Sequence, residues 1–313
     1  MSAKQLGKRL LQIVLVAAGI SFLTFMITYL APGDPVTAMY AAAGMMPNEE
    51  MIQETREAMG LNRPMPVQYF DWLKNCLRGD FGTSYAYHKP VAALLLERLW
   101  PTLKLSILSM FLMLFAAVPI GMAQATHKNS IVDYVLRGIT FFGVSMPNFW
   151  VGLLLMLIFC VRLRLLPVVS SGGDFKSLIL PSVTLAFAMS AKYTRQVRTA
   201  ILEELNQDYV IGARARGVKE WRILWQNVFP NSLLPLITML GLSLGSLLGG
   251  TAVVEVIFSY PGMGSLAVAA ITAYDYPLIQ GYVLWISLIY MLVNLAVDIS
   301  YNYVDPRMRG GVR

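Results

Sequence analysis

Charge is what this sequence has least of. Of its 313 residues, 14% are charged and 56% hydrophobic, against roughly 25% charged and 45–50% apolar in a soluble domain. Such a chain cannot clothe a water-exposed globule in polar groups, and it is too apolar to stay disordered. The composition implies an integral membrane protein. Cysteine and histidine are scarce too, two of each, which excludes a disulfide scaffold. Cys76 and Cys160 read as ordinary buried thiols, not as a bridged pair. His88 and His127 lie outside mid-membrane positions, so an intramembrane serine protease lacks its base. There is no GxxxxGK[ST] phosphate loop and no HExxH helix, so the chain carries no sign of hydrolysing ATP itself or of zinc chemistry. No cofactor or metal site is expected, and neither an internal repeat nor a low-complexity tract is visible.

What is present is a series of charge-free windows. Residues 10–33, 105–127, 138–161 and 276–297 are each long enough to cross a hydrocarbon core of ~30 Å, which needs about 20 apolar residues. Residues 223–254 form another, whose polar, proline-bearing first third places the helix start near Leu233. Residues 177–191 are short, but extension to Thr194 with a snorkelling Lys192 completes a sixth span. The net charge of +7 then reads as topology charge, with no nucleic-acid partner. Lys4, Lys8 and Arg9 at the start, seven cations from Lys192 to Arg222, and Arg307, Arg309 and Arg313 at the end all fall inside if both termini are cytoplasmic. Arg162, Arg164 and Lys176 run against that orientation. The segment 34–100 lies outside.

That outer segment reads as helical. Asn48 caps a helix with Glu49 and Glu50 in its first turn and Gly60 at its end, and Val67, Phe70, Leu73 and Leu77 mark a second. In the loop between the fourth and fifth spans, Asp208 is a candidate N-cap for a helix from Tyr209 to Arg216, with Gly217 at C′. Ala213 and Gly217, flanked by Arg214 and Arg216, form a small-residue face. A helix of two turns is unstable alone in water and needs a surface to dock on. Glu255 and Asp298 are ionisable groups near membrane depth, hence candidates for a translocation pathway or for hydrogen bonds between helices. Pro147, beside Asn148, is expected to kink the third span, and Pro119 the second. Small residues from Gly241 to Gly250 thin one side of the fifth.

The same residues resemble a known family. Ala213, Gly217 and Pro230 stand where the EAA loop of ABC-importer permeases has its second alanine, glycine and proline, with Ile211-Gly212-Ala213 at the E-A-A positions. Ala31-Pro32-Gly33-Asp34-Pro35, Gly79-Asp80-Phe81-Gly82-Thr83-Ser84, Arg98-Leu99-Trp100-Pro101-Thr102-Leu103, Ser145-Met146-Pro147-Asn148-Phe149-Trp150, Tyr260-Pro261-Gly262-Met263-Gly264 and Asp305-Pro306-Arg307 extend the likeness in order along the chain. It resembles the first permease subunit of dipeptide, oligopeptide, glutathione and nickel importers. That resemblance implies an all-α, polytopic membrane protein with six transmembrane helices of the type I ABC-importer permease fold. It implies a first helix (1–33), an extracytoplasmic helical segment (34–100), a transmembrane core (101–306, with a coupling loop at 200–232) and a cytoplasmic tail (307–313), in a bacterial inner membrane. The implied partners are a second homologous permease, two ABC ATPases, an external substrate-binding protein and membrane lipid. Asp208, Tyr209, Ala213, Arg214, Ala215, Arg216, Gly217 and Pro230 would couple to the ATPases, while Glu255, Asp298, Pro147 and Asn148 are pathway candidates. The cargo is a peptide or, alternatively, a nickel chelate. From another class, a stand-alone secondary carrier or channel fits six spans but leaves the docking helix unexplained.

Overall fold

In a computed structural model, residues 3–169 and 174–304 are described. The Asp305-Pro306-Arg307 motif and the tail 307–313 lie outside them. Among the described residues the chain is helical, with one isolated β-bridge between Thr83 and Pro90 and no strand. It divides into two compact units.

The first unit comprises residues 1–102, 248–252 and 261–292. α1 spans Ala3–Leu30 and covers the first expected membrane crossing. α2, Pro35–Ala42, was not expected. Asp34 makes it, accepting from the Thr37 backbone N–H at 3.2 Å and the Thr37 hydroxyl at 2.6 Å, with Pro35 in the first turn. α3, Glu49–Ala58, is capped by Asn48 through Met51 N–H at 2.8 Å, and Gly60 follows its end at φ +69°. α4, Met65–Cys76, starts earlier than the apolar spacing suggests because Pro66 fits a first turn. It docks on α1 through buried Tyr69, whose hydroxyl lies 3.0 Å from that of Ser21 and whose ring meets Phe22 and Phe25 edge-on.

The family-like motifs of this unit turn out to be joints. In the Gly79–Ser84 run, Gly79 and Gly82 hold positive φ, Phe81 enters the core, and Ser84 donates to the fully buried Asp275 at 2.5 Å. Asp275 also accepts from Ala86 N–H (3.1 Å) and Leu278 N–H (3.3 Å), so one carboxylate holds the loop and caps a following helix. Thr102 accepts from Met263 N–H at 2.8 Å at the start of α13, Met263–Thr272. A Cβ on Gly264 would lie 2.6 Å from the Ala252 backbone, so only glycine allows that approach.

The second unit comprises residues 103–247, 253–260 and 293–313. α5, Val91–Thr126, runs from the first unit into it and continues through Pro119 as one helix. α6, Ile131–Ser145, and α7, Asn148–Met156, continued by a π turn over Leu157–Arg162, correct the expected kinked third span. Met146 and Pro147 are extended, and the two segments meet at 95°. Proline disfavours helical geometry in the residue before it, so α6 stops there. α8 spans Phe175–Leu205 and contains the fourth expected crossing. α9, Asp208–Ala215, and α10, Glu220–Ile223, lead through a π turn at Leu224–Val228 into α11, Phe229–Gly250. The expected fifth span reaches residue 254, but α11 ends at Gly249-Gly250, residues of low helix propensity. Glu255 therefore sits in a separate helix, α12, Ala252–Ile257. α14, Tyr276–Val304, extends from the first unit into the second.

Glycines set the close approaches of this unit. A Cβ on Gly121 of α5 would meet Val197 and the Thr194 carbonyl of α8 at 2.7 and 2.8 Å, and one on Gly241 of α11 would collide with Val297 of α14. At Gly241, the thinned face expected on the fifth span is thus occupied by a packed helix. Tyr193 of α8 donates from its hydroxyl to the Leu236 carbonyl of α11 at 2.5 Å.

By length and composition, three helices among the described residues can cross a membrane (Gly7–Leu30, Val91–Thr126 and Tyr276–Ile299), or five if each of two bent pairs counts as one span. α8 carries charged residues through its second half and falls outside that group. Cys76 and Cys160 are free, Cys160 being buried.

Candidate coupling site

α9 occupies the place where sequence suggests a docking helix, and its geometry explains its order. Its N-cap is Gln207, which makes no side-chain cap bond; Asp208, the expected cap, is instead the first helical residue, where the helix dipole favours its carboxylate. Tyr209 donates from its hydroxyl to Glu204 at 2.6 Å, tying the first turn back to α8. Burial and the adjoining carboxylate push the Tyr209 hydroxyl's pKa up.

Two residues anchor the helix. Val210 is fully buried and Ala213 nearly so, in a core shared with Tyr193, Val197, Ile201, Ile223 and Val228. This corrects the expectation that Ala213 and Gly217 share an outward face: Ala213 points into the chain's own core, while Gly217 is exposed. At 100° per residue, Asp208, Ile211, Gly212 and Ala215 lie opposite the anchors, and Ile211 is 58% exposed. The free surface is a single apolar knob beside small residues. Arg216 is exposed at its edge.

The helix ends in a Schellman motif. Gly217 N–H donates to the Arg214 carbonyl (2.9 Å), Val218 N–H to the Ala213 carbonyl (3.1 Å), and Gly217 takes φ +75°. Arg214 grips Glu220 with two bonds of 2.7 and 3.1 Å, bracing α9 against α10. That acceptor favours the guanidinium's charged form and raises its pKa further. Pro230 is the second residue of α11, just past the π turn. Its ring would crowd the Gln226 carbonyl in an unbroken α-helix, and the widened turn at Leu224–Val228 relieves that clash.

One cluster was not visible in advance. Asp133 of α6 is fully buried and accepts from Arg137 on its own helix, from Arg198 of α8 at 3.2 and 3.3 Å, and from Asn129 N–H at 3.0 Å. Arg198 precedes α9 on the stem that carries it. The only local signal was the Asp133/Arg137 spacing of four on an otherwise apolar helix.

The pathway candidates are dispersed. Pro147 and Asn148 are exposed at the bend between α6 and α7, Glu255 is fully buried in α12, and Asp298 is half-buried in α14. α9 is anchored on one face and open on the other.

This organisation has known counterparts. Residues 117–310 match the family described as "Binding-protein-dependent transport system inner membrane component", and residues 3–106 match "Binding-prot-dependent transport system membrane comp, N-term". The chain belongs to this family. The permease is 35% identical to the "Probable D,D-dipeptide transport system permease protein DdpB" of Escherichia coli (strain K12), over 98% of each chain. It is 39% identical to the "Oligopeptide transport system permease protein AppB" of Bacillus subtilis (strain 168), over 96% of this chain and 98% of that one. It is 37% identical to the "Glutathione transport system permease protein GsiC" of Salmonella typhimurium, over 96% and 97%. Among solved structures it is similar in fold to a chain of the MetNI methionine ABC transporter in an inward-facing conformation, with a TM-score of 0.59 at 18% identity, covering 68% of the permease and 96% of that chain. The permease is therefore a membrane-embedded transport subunit of the ABC-importer class, and the stand-alone carrier falls away.

Proposed function

We propose that this permease forms half of the translocation pathway of an ATP-driven importer of short peptides. The observation that carries the cargo is the set of relatives over nearly the full chain, named for dipeptide, oligopeptide and glutathione transport. That naming favours peptide over nickel. In this reading α8 supplies a sixth span, both termini are cytoplasmic, and residues 34–100 form an extracytoplasmic segment facing a substrate-binding protein. A second homologous permease completes the pathway, and two ATPase subunits receive α9.

The physical basis is leverage. A two-turn helix cannot hold its shape alone, yet α9 is fixed to the core by Val210 and Ala213 and to α10 by Arg214 and Glu220. A displacement of its free face by a closing ATPase is thus passed to α8 and α11 instead of unfolding the helix. Asp208, Tyr209, Ile211, Ala215 and Arg216 supply the contact; Ala213, Gly217 and Pro230 hold the shape.

Two experiments test this. The permease, its partner permease, the ATPases and the binding protein reconstituted in liposomes should take up a tripeptide only with ATP, and the permease alone should not. Peptide-independent uptake of a nickel chelate, or transport by the lone chain, overturns the reading. For orientation, Met46→Cys, at a fully exposed outer position, should react with an impermeant maleimide in intact cells. Ala215→Cys should react only after permeabilisation, and less when the ATPases are bound.

A further inference from the structure

A cavity of about 730 Å³ lies in the first unit, walled by the last turns of α1, the first turn of α14 and one side of α4. α1 and α14 are both apolar enough to cross a membrane, so their ends stand at a membrane–water interface, where headgroups lie. Tyr29 and Tyr276 line the cavity at those ends, as interfacial aromatics do.

The cavity is rich in donors. Arg56, Arg63, Lys74 and Arg78 face it against one acid, Asp71. Asp71 is taken by Arg63 at 3.2 Å, and Arg56 reaches Asp34 at 3.7 Å. Lys74 and Arg78 have no ion pair among the described residues. Both are exposed, so an oxyanion in the cavity would give them a counter-charge through charge-assisted hydrogen bonds.

The outer side of α4 says which oxyanion. Val67, Phe70 and Leu77 are 44%, 65% and 82% exposed, and at 100° per residue they form one stripe with Lys74 inside it. An apolar helix face carrying a lysine is the pattern of a helix lying in the headgroup plane. Lys74 thus stands where an apolar edge meets a cationic cavity, which are the two surfaces an amphiphilic anion needs. A soluble anion would use only one of them.

We propose that this cavity binds the phosphodiester headgroup of an anionic phospholipid. The phosphate lies between Lys74 and Arg78, and the acyl chains lie along the α4 stripe and the exposed flank of α1. The site is independent of the peptide reading and of which side the segment faces.

The test uses the assembled importer purified in detergent, with native mass spectrometry of retained lipid and melting in nanodiscs of phosphatidylcholine with or without phosphatidylglycerol. Wild type should retain phosphatidylglycerol over phosphatidylcholine and melt higher in its presence. Lys74→Gln/Arg78→Gln should lower retention by about tenfold or more, as loss of charge-assisted bonds implies, and abolish the phosphatidylglycerol-dependent shift. Lys74→Arg should restore it, and the control Lys128→Gln should not disturb it. Should the double variant fail to assemble, Arg78→Gln alone, at an exposed position, should weaken retention by a smaller factor. Equal retention by wild type and variants, or no preference for phosphatidylglycerol, overturns the proposal. So does a matching shift from inorganic phosphate or a free tripeptide in phosphatidylcholine discs, which would make the cavity a site for soluble anions.

Discussion

Gly217 shows how one residue can matter without touching anything. Its φ of +75° is a conformation that L side chains adopt at a cost of about 1–2 kcal/mol, while a Cβ built on it would meet nothing within 4 Å. Strain and bulk can therefore be separated. Gly217→Asn, tolerant of left-handed geometry, should keep most uptake and ATPase association, whereas Gly217→Val should loosen the Schellman turn and lower both. Gly217→Arg adds a charge beside the docking face and should uncouple uptake even where the ATPases remain bound. Uptake at the wild-type rate in all three, measured in proteoliposomes, would remove the turn from the coupling mechanism. Cys76 offers a chemical readout at the same scale. Burial and the nearby Asp80 carboxylate both disfavour its thiolate, pushing the pKa up to about 12 from an ordinary value near 8.5. In a Cys160→Ala background, maleimide labelling should climb about tenfold per pH unit through the alkaline range. An exposed thiol would instead level off near pH 9.

At the scale of elements, one carboxylate ties α6 to α8 by charge, beside the apolar packing of Gly143 on Ala191 and Phe187. Asp133 is fully buried, while Arg198 and Arg137 are 19% and 41% exposed. Removing one partner of a fully buried pair costs about 3–5 kcal/mol, and the arginines' residual hydration reduces that here. Asp133→Asn should destabilise the permease by about 1–3 kcal/mol, seen as a lower melting temperature in detergent. Because Arg198 rides on the helix that carries α9, uptake should fall further than ATP hydrolysis does. A proportional fall in both would make Asp133 a stability residue only. The caps at Asn48 and Gly60 and the stop at Gly217 were readable from sequence, since each depends on neighbours within a few residues. The inward turn of Ala213 was not: two turns of helix carry too little periodicity to reveal a buried side. Pro147 announced a break but not its 95° angle, because the direction of a bend depends on what each half packs against.

For the molecule as a whole, the two acids first read as pathway candidates separate by burial. Glu255 is fully enclosed in α12, whereas Asp298 is only half-buried in α14. Glu255→Gln should lower yield and thermal stability with little change in the KM for peptide. Asp298→Asn should shift KM or the maximal uptake rate with assembly intact. Reversed outcomes would exchange their roles. The motifs that carry the family likeness show the same division, since several are joints of the fold: Ser84 with Asp275, Thr102 with Met263, and Gly264 against Ala252. They identify the family because the fold needs them, and they say little about cargo.

The linear chain was enough to indicate a membrane-embedded helical permease and a two-turn helix stopped by Gly217, because hydropathy and glycine geometry act over a few residues. Tertiary structure alone decided that α9 turns Ile211 outward and Ala213 inward, that Asp133 holds an arginine 65 residues away, and that Ser84 meets an acid 191 residues away. It also decided that four cations share one cavity. Burial and charge pairing depend on which distant segments come together, and that information exists only once the helices have packed.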